Sequence, residues 1–140
     1  PGYHEKIFKL CKFRSMTDER DAEGNLLPDA VRLTKFGKIL RAASLDELPE
    51  LWNILKGDMS IVGPRPIIDG EIEKYGMNKD RFLSVTPGLT GWWACNGRSC
   101  TNYEDRMKLE LYYVNHCSLL LDIQCIFKTV VAVVKKSGAK

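Results

Sequence analysis

Apolar residues recur at helical spacing through most of the chain, and this pattern is the strongest structural signal in the sequence. It predicts helices over residues 32–43, 48–55, 71–85, 102–116 and 118–136. The first of these helices has a basic side, the third is broken near Gly76, and the fourth is capped by Thr101 or Asn102. The chain is therefore expected to be mostly helical.

The last predicted helix is apolar around nearly its whole circumference. Its apolar part, residues 119–134, reaches about 24 Å at 1.5 Å per residue, which is shorter than the ~30 Å hydrocarbon core of a bilayer. Such a helix is either buried in a protein core or lies in a membrane interface, where Lys128, Lys135 and Lys136 would reach anionic headgroups. Core packing is the ordinary interpretation, and both remain open at this point.

Strand signals are few and short. Apolar and basic residues alternate in "KIFKLCKFR", residues 6–14, and predict one strand, while "MSIVG" predicts another that ends before Pro64. Residues 17–29 are polar and read as a loop, and "TPGLTG", residues 86–91, has the Pro and Gly of a turn. With 140 residues, 44% of them hydrophobic, the chain can form one domain with a substantial core. The sequence thus predicts an α/β (α+β) fold, a mostly helical single globule with a small β-sheet.

The start of the second predicted helix poses a conflict between two local signals. In "SLDELPELWNILKGD", Ser44 and Glu47 match the S-x-x-E capping box, but Pro49 would then lie in the first turn and remove a hydrogen bond. Either the helix kinks at Pro49, or it begins nearer Pro49 and leaves Asp46 and Glu47 on a short lead-in. Gly57 is the expected stop. The packing face predicted for this helix consists of Leu48, Leu51, Trp52 and Leu55.

Charge and cysteine content narrow the classes of function. The formal net charge of +3 is too mild for a duplex-DNA binder, so no nucleic acid is expected as a partner. Basic residues cluster near both ends of the chain and suit an anionic partner such as a phospholipid surface or a nucleotide. The five cysteines lack the spacing of a disulfide framework, which favours a reducing compartment.

Two neighbouring carboxylates, Asp46 and Glu47, are the first candidates for chemistry. Acidic residues in the first turn of a helix complement its dipole, and this is the favoured interpretation from the residues alone. Neighbours on a helix project about 100° apart, so the pair cannot flank a glycosidic bond as glycosidase carboxylates do. An aspartate can instead attack phosphorus, with its neighbour as metal ligand or orienting group. Such an anion needs a divalent cation or arginines to neutralise the phosphate oxygens.

Two arginines are placed to meet that need. Arg65 lies between Pro64 and Pro66, so its guanidinium is presented from a stiff, extended backbone and loses little freedom on binding a phosphate. Arg98 follows Gly97 in a predicted loop, where the backbone can approach an anion closely. A surface ion pair for Arg65 and an ordinary surface loop for Arg98 are the alternatives without function.

Several motifs occur in one order: "KFRSM", "SLDELPELWNILKGDMSIVGPRP", "TPGLTGW", "NGR", and "LELYYV" followed by "SLLLDI". In this order they closely resemble the bacterial sugar transferase family, the monotopic phosphoglycosyl transferases, over nearly the whole chain. The resemblance implies transfer of a sugar 1-phosphate from a UDP-sugar to undecaprenyl (polyprenyl) phosphate, with Mg²⁺ as cofactor. It also implies the first membrane step of glycoconjugate, capsule or exopolysaccharide biosynthesis, at the cytoplasmic face of the bacterial inner membrane.

The resemblance assigns roles to residues as well. Asp46 corresponds to the nucleophile of the family's Asp-Glu dyad and Glu47 to its partner, and the two are the implied Mg²⁺ ligands. Asp46 would attack the sugar-bearing phosphorus, release UMP and hold a covalent phosphosugar until the polyprenyl phosphate attacks. Lys12, Arg65 and Arg98 match the basic residues of K-F-R-S-M, P-R-P and N-G-R, all as phosphate contacts. Reasoning from the residues alone selects the arginines for this role but not Lys12.

Two positions depart from the family pattern. Glu110, a possible site carboxylate, stands where the family usually has the shorter Asp, and Ser99 replaces the Asn that usually follows N-G-R. The family's N-terminal re-entrant membrane helix is absent from residues 1–140, so we expect the catalytic globule alone, with amphipathic helices on a membrane surface. The alternative is a catalytically silent module that binds a nucleotide or an anionic lipid through its basic residues.

Overall fold

The described part of the chain, residues 1–68, 70–97 and 101–134 of a computed structural model, is mostly helical with one small sheet. Its α-helices are α1 (Asp29–Arg32), α2 (Lys35–Ala42), α3 (Glu50–Leu55), α4 (Lys79–Leu83), α5 (Trp92–Asn96), α6 (Tyr103–His116) and α7 (Leu119–Val134). Short 3₁₀ segments lie at Tyr3–Glu5, Leu45–Glu47 and Glu71–Asn78. The strands are β1 (Ser60–Val62) and β2 (Gly88–Thr90), so the predicted fold class is confirmed.

The two strands pair in parallel, with Val62 opposite Thr90. The strand predicted for "MSIVG" is confirmed, but the turn predicted at residues 86–91 is wrong because β2 lies there. Glycine is needed at this place for close packing rather than for a turn. A Cβ atom on Gly88 would lie 2.1 Å from the backbone nitrogen of Gly63, a distance that no side chain can occupy.

Residues 6–14 belong to no helix and pair with no strand of the described chain, so the strand predicted there is wrong. The segment is held by the buried Asn53 of α3, which accepts a hydrogen bond from the Cys11 N–H (3.0 Å) and donates one to the Lys9 carbonyl (2.8 Å). A side-chain amide thus takes the place of a neighbouring strand. The alternation of apolar and basic residues does not reveal whether the backbone pairs with a strand or with a side-chain amide.

Helix ends follow local chemistry. Thr34 caps α2 and Asn102 caps α6, each by accepting a hydrogen bond from a backbone N–H three residues further on. α3 begins after Pro49, and Ser44 has a left-handed backbone (φ 55°) instead of the extended one of a capping box. The second of the two sequence-based alternatives is therefore confirmed. Gly57, with φ 80°, ends α3 as predicted.

Two clusters of buried side chains form the core, and α6 contributes to both. The first cluster contains Ile67, Ile72, Tyr75, Phe82 and Leu83, with Met107 and Leu111 packed against it. The second contains Val62, Tyr113, Leu121 and Cys125. The Tyr113 hydroxyl donates a 2.6 Å hydrogen bond to Asp122 Oδ1, which fastens α6 to α7. α6 is therefore a fixed element against which the loop after β1 is positioned.

The predicted packing face of α3 is exposed, and that prediction is wrong. Its four members, 47–79% exposed, are Leu48, Leu51, Trp52 and Leu55. α2 exposes Phe36 and Ile39, and α7 buries one side while it exposes Leu119, Leu120, Ile123, Ile126, Phe127, Val130 and Val133. Periodicity identifies the apolar side of a helix but not what covers it. None of the helices within the described ranges has both the length and the apolar character to cross a bilayer.

Candidate active site

A cleft of about 340 Å³ brings together side chains that are far apart in the chain. Its charged lining residues are Lys12, Glu47, Glu50, Arg65, Glu71 and Arg106. Its apolar lining residues are Leu10, Pro66, Ile68 and Leu89. Of the residues that the sequence predicts for the site, Lys12, Glu47 and Arg65 meet in this lining. Three cations and three carboxylates thus face one cavity of a size that holds a small ligand.

Lys12 reaches the cleft because the backbone on either side of it is fixed. The N–H groups of its two neighbours donate to the side chain of Asn53 and to the carbonyl of Asp46, both at 3.0 Å. The Lys12 ammonium then lies 3.0 Å from Glu50 Oε1 and 3.4 Å from Glu47 Oε1. All of these partners come from a distant part of the chain, so the residues around Lys12 carry no local sign of its role.

Glu50 is a site residue that reasoning from the sequence missed. It is only 3% exposed, and burial raises the pKa of its carboxyl group, while the hydrogen bond and charge of Lys12 lower it. A buried carboxylate is tolerated when it is paired, so Glu50 and Lys12 hold each other at the cleft. In the sequence Glu50 is an ordinary first-turn acid after Pro49, which gives no signal of this contact.

Arg65 is presented from the loop after β1, as the Pro-Arg-Pro sequence predicts. Its backbone N–H donates a 3.2 Å hydrogen bond to Glu110 Oε1. Its guanidinium carbon lies 5.6 Å from the centre of the Trp93 ring, and its Nη1 lies 3.8 Å from Glu47 Oε1. The same Glu47 oxygen therefore faces two cations, Arg65 and Lys12.

Asp46 precedes Glu47 in the 3₁₀ segment and is half-buried. Its carboxylate is not part of the cleft lining, and none of the ion pairs within the described ranges involves it. The structure thus places Glu47 in the cleft, held by cations, and Asp46 beside it.

Glu110 supports the Arg65 backbone and does not line the large cleft. It is 1% exposed, and burial raises the pKa of its carboxyl group to about 7, against the opposing effects of the Arg65 N–H bond and of the Arg106 and Arg65 charges. Its Oε2 atom is buried and accepts no hydrogen bond from the described residues. A cavity of about 10 Å³ adjoins it, close to the volume that one water needs. Glu110 therefore positions the backbone of Arg65, which is a predicted phosphate contact.

α6 adds an arginine that is not among the residues predicted for the site. Arg106 lines the cleft, and its Nη1 lies 3.1 Å from Glu71 Oε1. It precedes Glu110 by one helical turn, so the two share a face of α6. That spacing is a sequence signal that would have linked it to the site. The remaining predicted positions, Arg98 and Ser99, and the terminal Lys135 and Lys136 lie outside the described residues.

Asp46 and Glu47 supply oxygen ligands of the kind that Mg²⁺ takes. Within the described ranges, no three His, Cys, Asp or Glu side chains are grouped to hold a metal ion. Mg²⁺ usually takes one or two protein carboxylates and completes its shell with substrate phosphates and water. The adjacent Asp46 and Glu47 offer that number of ligands, so the residues present are compatible with this ion.

Comparison with known proteins identifies sugar transferases as relatives. Residues 1–136 match the family described as bacterial sugar transferase. The chain is 49% identical over 138 residues to the uncharacterized sugar transferase EpsL of Bacillus subtilis, an alignment that covers 99% of this chain and 68% of the relative.

Two longer relatives carry more specific names. The chain is 40% identical to the UDP-galactose-lipid carrier transferase of Erwinia amylovora and 39% identical to the undecaprenyl-phosphate galactose phosphotransferase of Salmonella typhimurium. These alignments cover 97% and 99% of this chain but 33% of each relative, so the chain spans about a third of their length. The match over residues 1–136 and the identity to EpsL show that this chain belongs to the bacterial sugar transferase family.

Proposed function

We propose that this chain transfers a sugar 1-phosphate from a UDP-sugar to undecaprenyl (polyprenyl) phosphate and releases UMP. Membership of the family and the names of the two longer relatives support this class of reaction. The structural observation that carries the proposal is the convergence of Lys12, Glu47 and Arg65 on one cleft beside Asp46. Attack on a diphosphate by a carboxylate needs cations of this kind, because they neutralise the phosphate oxygens.

The proposed reaction consists of two displacements at the same phosphorus. In the first, an oxygen of Asp46 bonds to the sugar-bearing phosphorus, and the bond to the bridging oxygen breaks, so UMP leaves with the electron pair. In the second, an oxygen of the polyprenyl phosphate bonds to that phosphorus, and the bond to Asp46 breaks, which restores the carboxylate. The products are UMP and a polyprenyl diphosphate sugar.

The basic residues of the cleft are held in place before the substrate arrives. Glu47 lies 3.4 Å from the Lys12 ammonium and 3.8 Å from Arg65 Nη1, so it keeps both cations at the cleft. The Arg65 backbone is further fixed through Glu110. Groups held in this way lose less conformational freedom when they bind a phosphate. Arg98 belongs to the same proposal as a third phosphate contact, on the resemblance of its N-G-R motif alone.

Mg²⁺ is the cofactor of this proposal, and Asp46 and Glu47 would hold it together with the phosphates of the donor. When bound, the ion supplies positive charge at phosphate oxygens where negative charge builds up. The chain itself supplies the carboxylates and directs Lys12 and Arg65 toward the same phosphates.

The exposed apolar residues support a location on a membrane surface. α2 precedes and α3 follows the 3₁₀ segment that contains Asp46 and Glu47, and both helices expose apolar side chains. α2 also carries Lys35, Lys38 and Arg41. Helices of this composition bind anionic membrane interfaces. We propose that this surface is the cytoplasmic face of the bacterial inner membrane, where the family resemblance implies the polyprenyl acceptor.

The location is tested with vesicles that contain phosphatidylglycerol. We expect the double variant Trp52→Ser, Leu55→Ser to sediment with these vesicles much less than the wild type. Its melting temperature should stay the same, because both side chains are more than half exposed. Met77→Ser removes an exposed apolar side chain elsewhere and should bind as the wild type does. Equal sedimentation of all three proteins would contradict the proposed location.

The first displacement provides the decisive test of the reaction, because it needs no lipid acceptor. The chain is incubated with Mg²⁺ and a panel of UDP-sugars, and both UMP release and the mass of the protein are measured. We expect up to one UMP per chain and a phosphosugar adduct on Asp46, which undecaprenyl phosphate then removes. Asp46→Asn should give neither, whereas Asp18→Asn, which changes an exposed acid paired with Arg14, should behave as the wild type.

Two results would contradict the proposal in different ways. A wild type that binds UDP-sugars without releasing UMP would favour the catalytically silent binding module. UMP release that persists in Asp46→Asn would show that the nucleophile is wrongly assigned.

A further inference from the structure

One aromatic ring holds two guanidinium groups at the cleft. The Arg106 guanidinium carbon lies 5.0 Å from the centre of the Trp93 ring, and that of Arg65 lies 5.6 Å from the same centre. Both distances are within the range of a cation–π contact. The ring itself is buried and oriented, since Trp93 Nε1 donates a 2.8 Å hydrogen bond to Thr101 Oγ1. Trp93 is therefore an oriented ring in contact with both arginines of the cleft.

Arg106 keeps unused hydrogen-bonding capacity in this position. Its ring contacts are with Trp93 and with Tyr103, whose centre lies 5.7 Å away, and its ion pair with Glu71 at 3.1 Å uses Nη1. A guanidinium carries five N–H donors in a fixed fork. The buried Nε of Arg106 donates to no described residue. A donor left in this state is normally satisfied by water or by a ligand.

The charges of the cleft point to the chemistry of that ligand. Three cations gathered around one cavity are mutually repulsive, and three carboxylates offset them. The side chains of Arg106 and Glu71 are only 16% and 17% exposed, so their contact is strengthened by partial desolvation. An anionic ligand that enters the cleft competes with the Glu71 carboxylate for the Arg106 guanidinium. Two guanidiniums in the same cleft offer one forked set of donors to each of two phosphate groups, whereas a single phosphate would occupy one fork.

We propose that Arg106 is a second diphosphate-binding arginine, spaced from Arg65 by Trp93 and held by Glu71 while the cleft is empty. This inference rests on the proposed function, because the diphosphate is that of the UDP-sugar donor. It predicts that the chain distinguishes nucleoside diphosphates from monophosphates through Arg106. It also predicts that Glu71 weakens this binding, since it competes for the same guanidinium.

The test compares the binding of UDP and UMP by calorimetry in wild type, Arg106→Met, Glu71→Gln and Arg81→Met. We expect Arg106→Met to weaken UDP binding about tenfold to a hundredfold, the usual effect of losing charged hydrogen bonds, and to change UMP binding much less. Glu71→Gln should tighten UDP binding, because Arg106 is released from its partner. Arg81→Met changes an exposed arginine of α4 and should alter neither nucleotide.

Opposite signs in the two site variants exclude a purely structural role for the ion pair. If Arg106→Met and Glu71→Gln both reduce thermal stability and both leave the ratio of UDP to UMP affinity unchanged, the pair is structural and the inference is wrong. Arg106→Lys should give an intermediate UDP affinity, since it retains the charge but not the fork. A wild type that binds neither UDP nor UMP would overturn the proposed function itself, which is a distinct outcome.

Discussion

Replacing Glu110 by Gln isolates the cost of ionising a buried carboxyl group. In the wild type, Glu110 Oε1 accepts the Arg65 N–H at 3.2 Å, and Oε2 is buried without a hydrogen bond from the described residues. Gln has nearly the same shape and retains an oxygen for Arg65, but it cannot ionise. Its NH₂ group is a new buried donor, and the penalty for it is the same at every pH. The informative quantity is therefore how the stability difference between the two proteins changes with pH.

The magnitude follows from the pKa of Glu110. Burial raises this pKa from 4.5 to about 7, and the charges of Arg65 and Arg106 oppose the rise. A tenfold change in an ionisation constant corresponds to about 1.4 kcal/mol, so the change amounts to about 3 kcal/mol. Because the pKa is higher in the folded state, protonation stabilises the fold fully below pH 4.5. This stabilisation is lost as the pH rises to about 7, because the buried carboxyl group then ionises.

Urea unfolding between pH 4 and pH 8.5 tests this reasoning. The stability of Glu110→Gln relative to the wild type should rise by about 3 kcal/mol between pH 4.5 and 7 and stay level above that. Glu104→Gln, an exposed residue in the first turn of the same helix, serves as the control. Its curve should stay parallel to that of the wild type over this window. Parallel curves for Glu110→Gln, or a relative loss of stability with rising pH, would refute the view that burial dominates at Glu110.

Three further substitutions, with Gly24→Ala as a control, test the fold. Asn53→Ala should lower the free energy of unfolding by about 2–5 kcal/mol in urea titrations, because it removes both hydrogen bonds from the buried Asn53 side chain to residues 6–14. It should also raise the KM for the UDP-sugar, since Lys12 is then held less firmly. Gly88→Ala should abolish the native circular dichroism spectrum, whereas Gly24→Ala, with open space but φ 85°, should cost about 1–2 kcal/mol. Asn102→Ala should cost about 1 kcal/mol in thermal unfolding, because it removes the cap of α6.

The parts of the fold that depend on neighbours in sequence could be predicted. Pro49 removes a hydrogen bond from any helix that would contain it in its first turn, so it fixes the start of α3 locally. Gly57 and Asn102 likewise act on their own helices. The wrong predictions concern contacts with distant residues. Alternation in residues 6–14 reports an extended backbone, but its partner is Asn53 and not a strand.

The candidate site was predictable only in part for the same reason. Arg65 was selected on physical grounds, because its flanking prolines stiffen its own backbone. The family resemblance alone predicts Lys12, since its contacts with Glu47 and Glu50 are made across the fold. Arg106 has a sequence signal in its spacing of one helical turn from Glu110, but its contacts with Trp93 and Glu71 are made across the fold.

The attachment of Lys12 to the rest of the molecule has a consequence for local opening. The segment around it, residues 6–14, is fastened by Asn53, by one backbone bond to Asp46 and by the ion pairs of Lys6 and Lys12, and it pairs with no strand of the described chain. Such a segment opens at a lower free energy than the packed core. Each opening event removes one positive charge from the cleft and frees Glu50. Amide hydrogen exchange at Cys11 and Phe13, whose N–H groups make these bonds, therefore measures how often the cleft has its full charge.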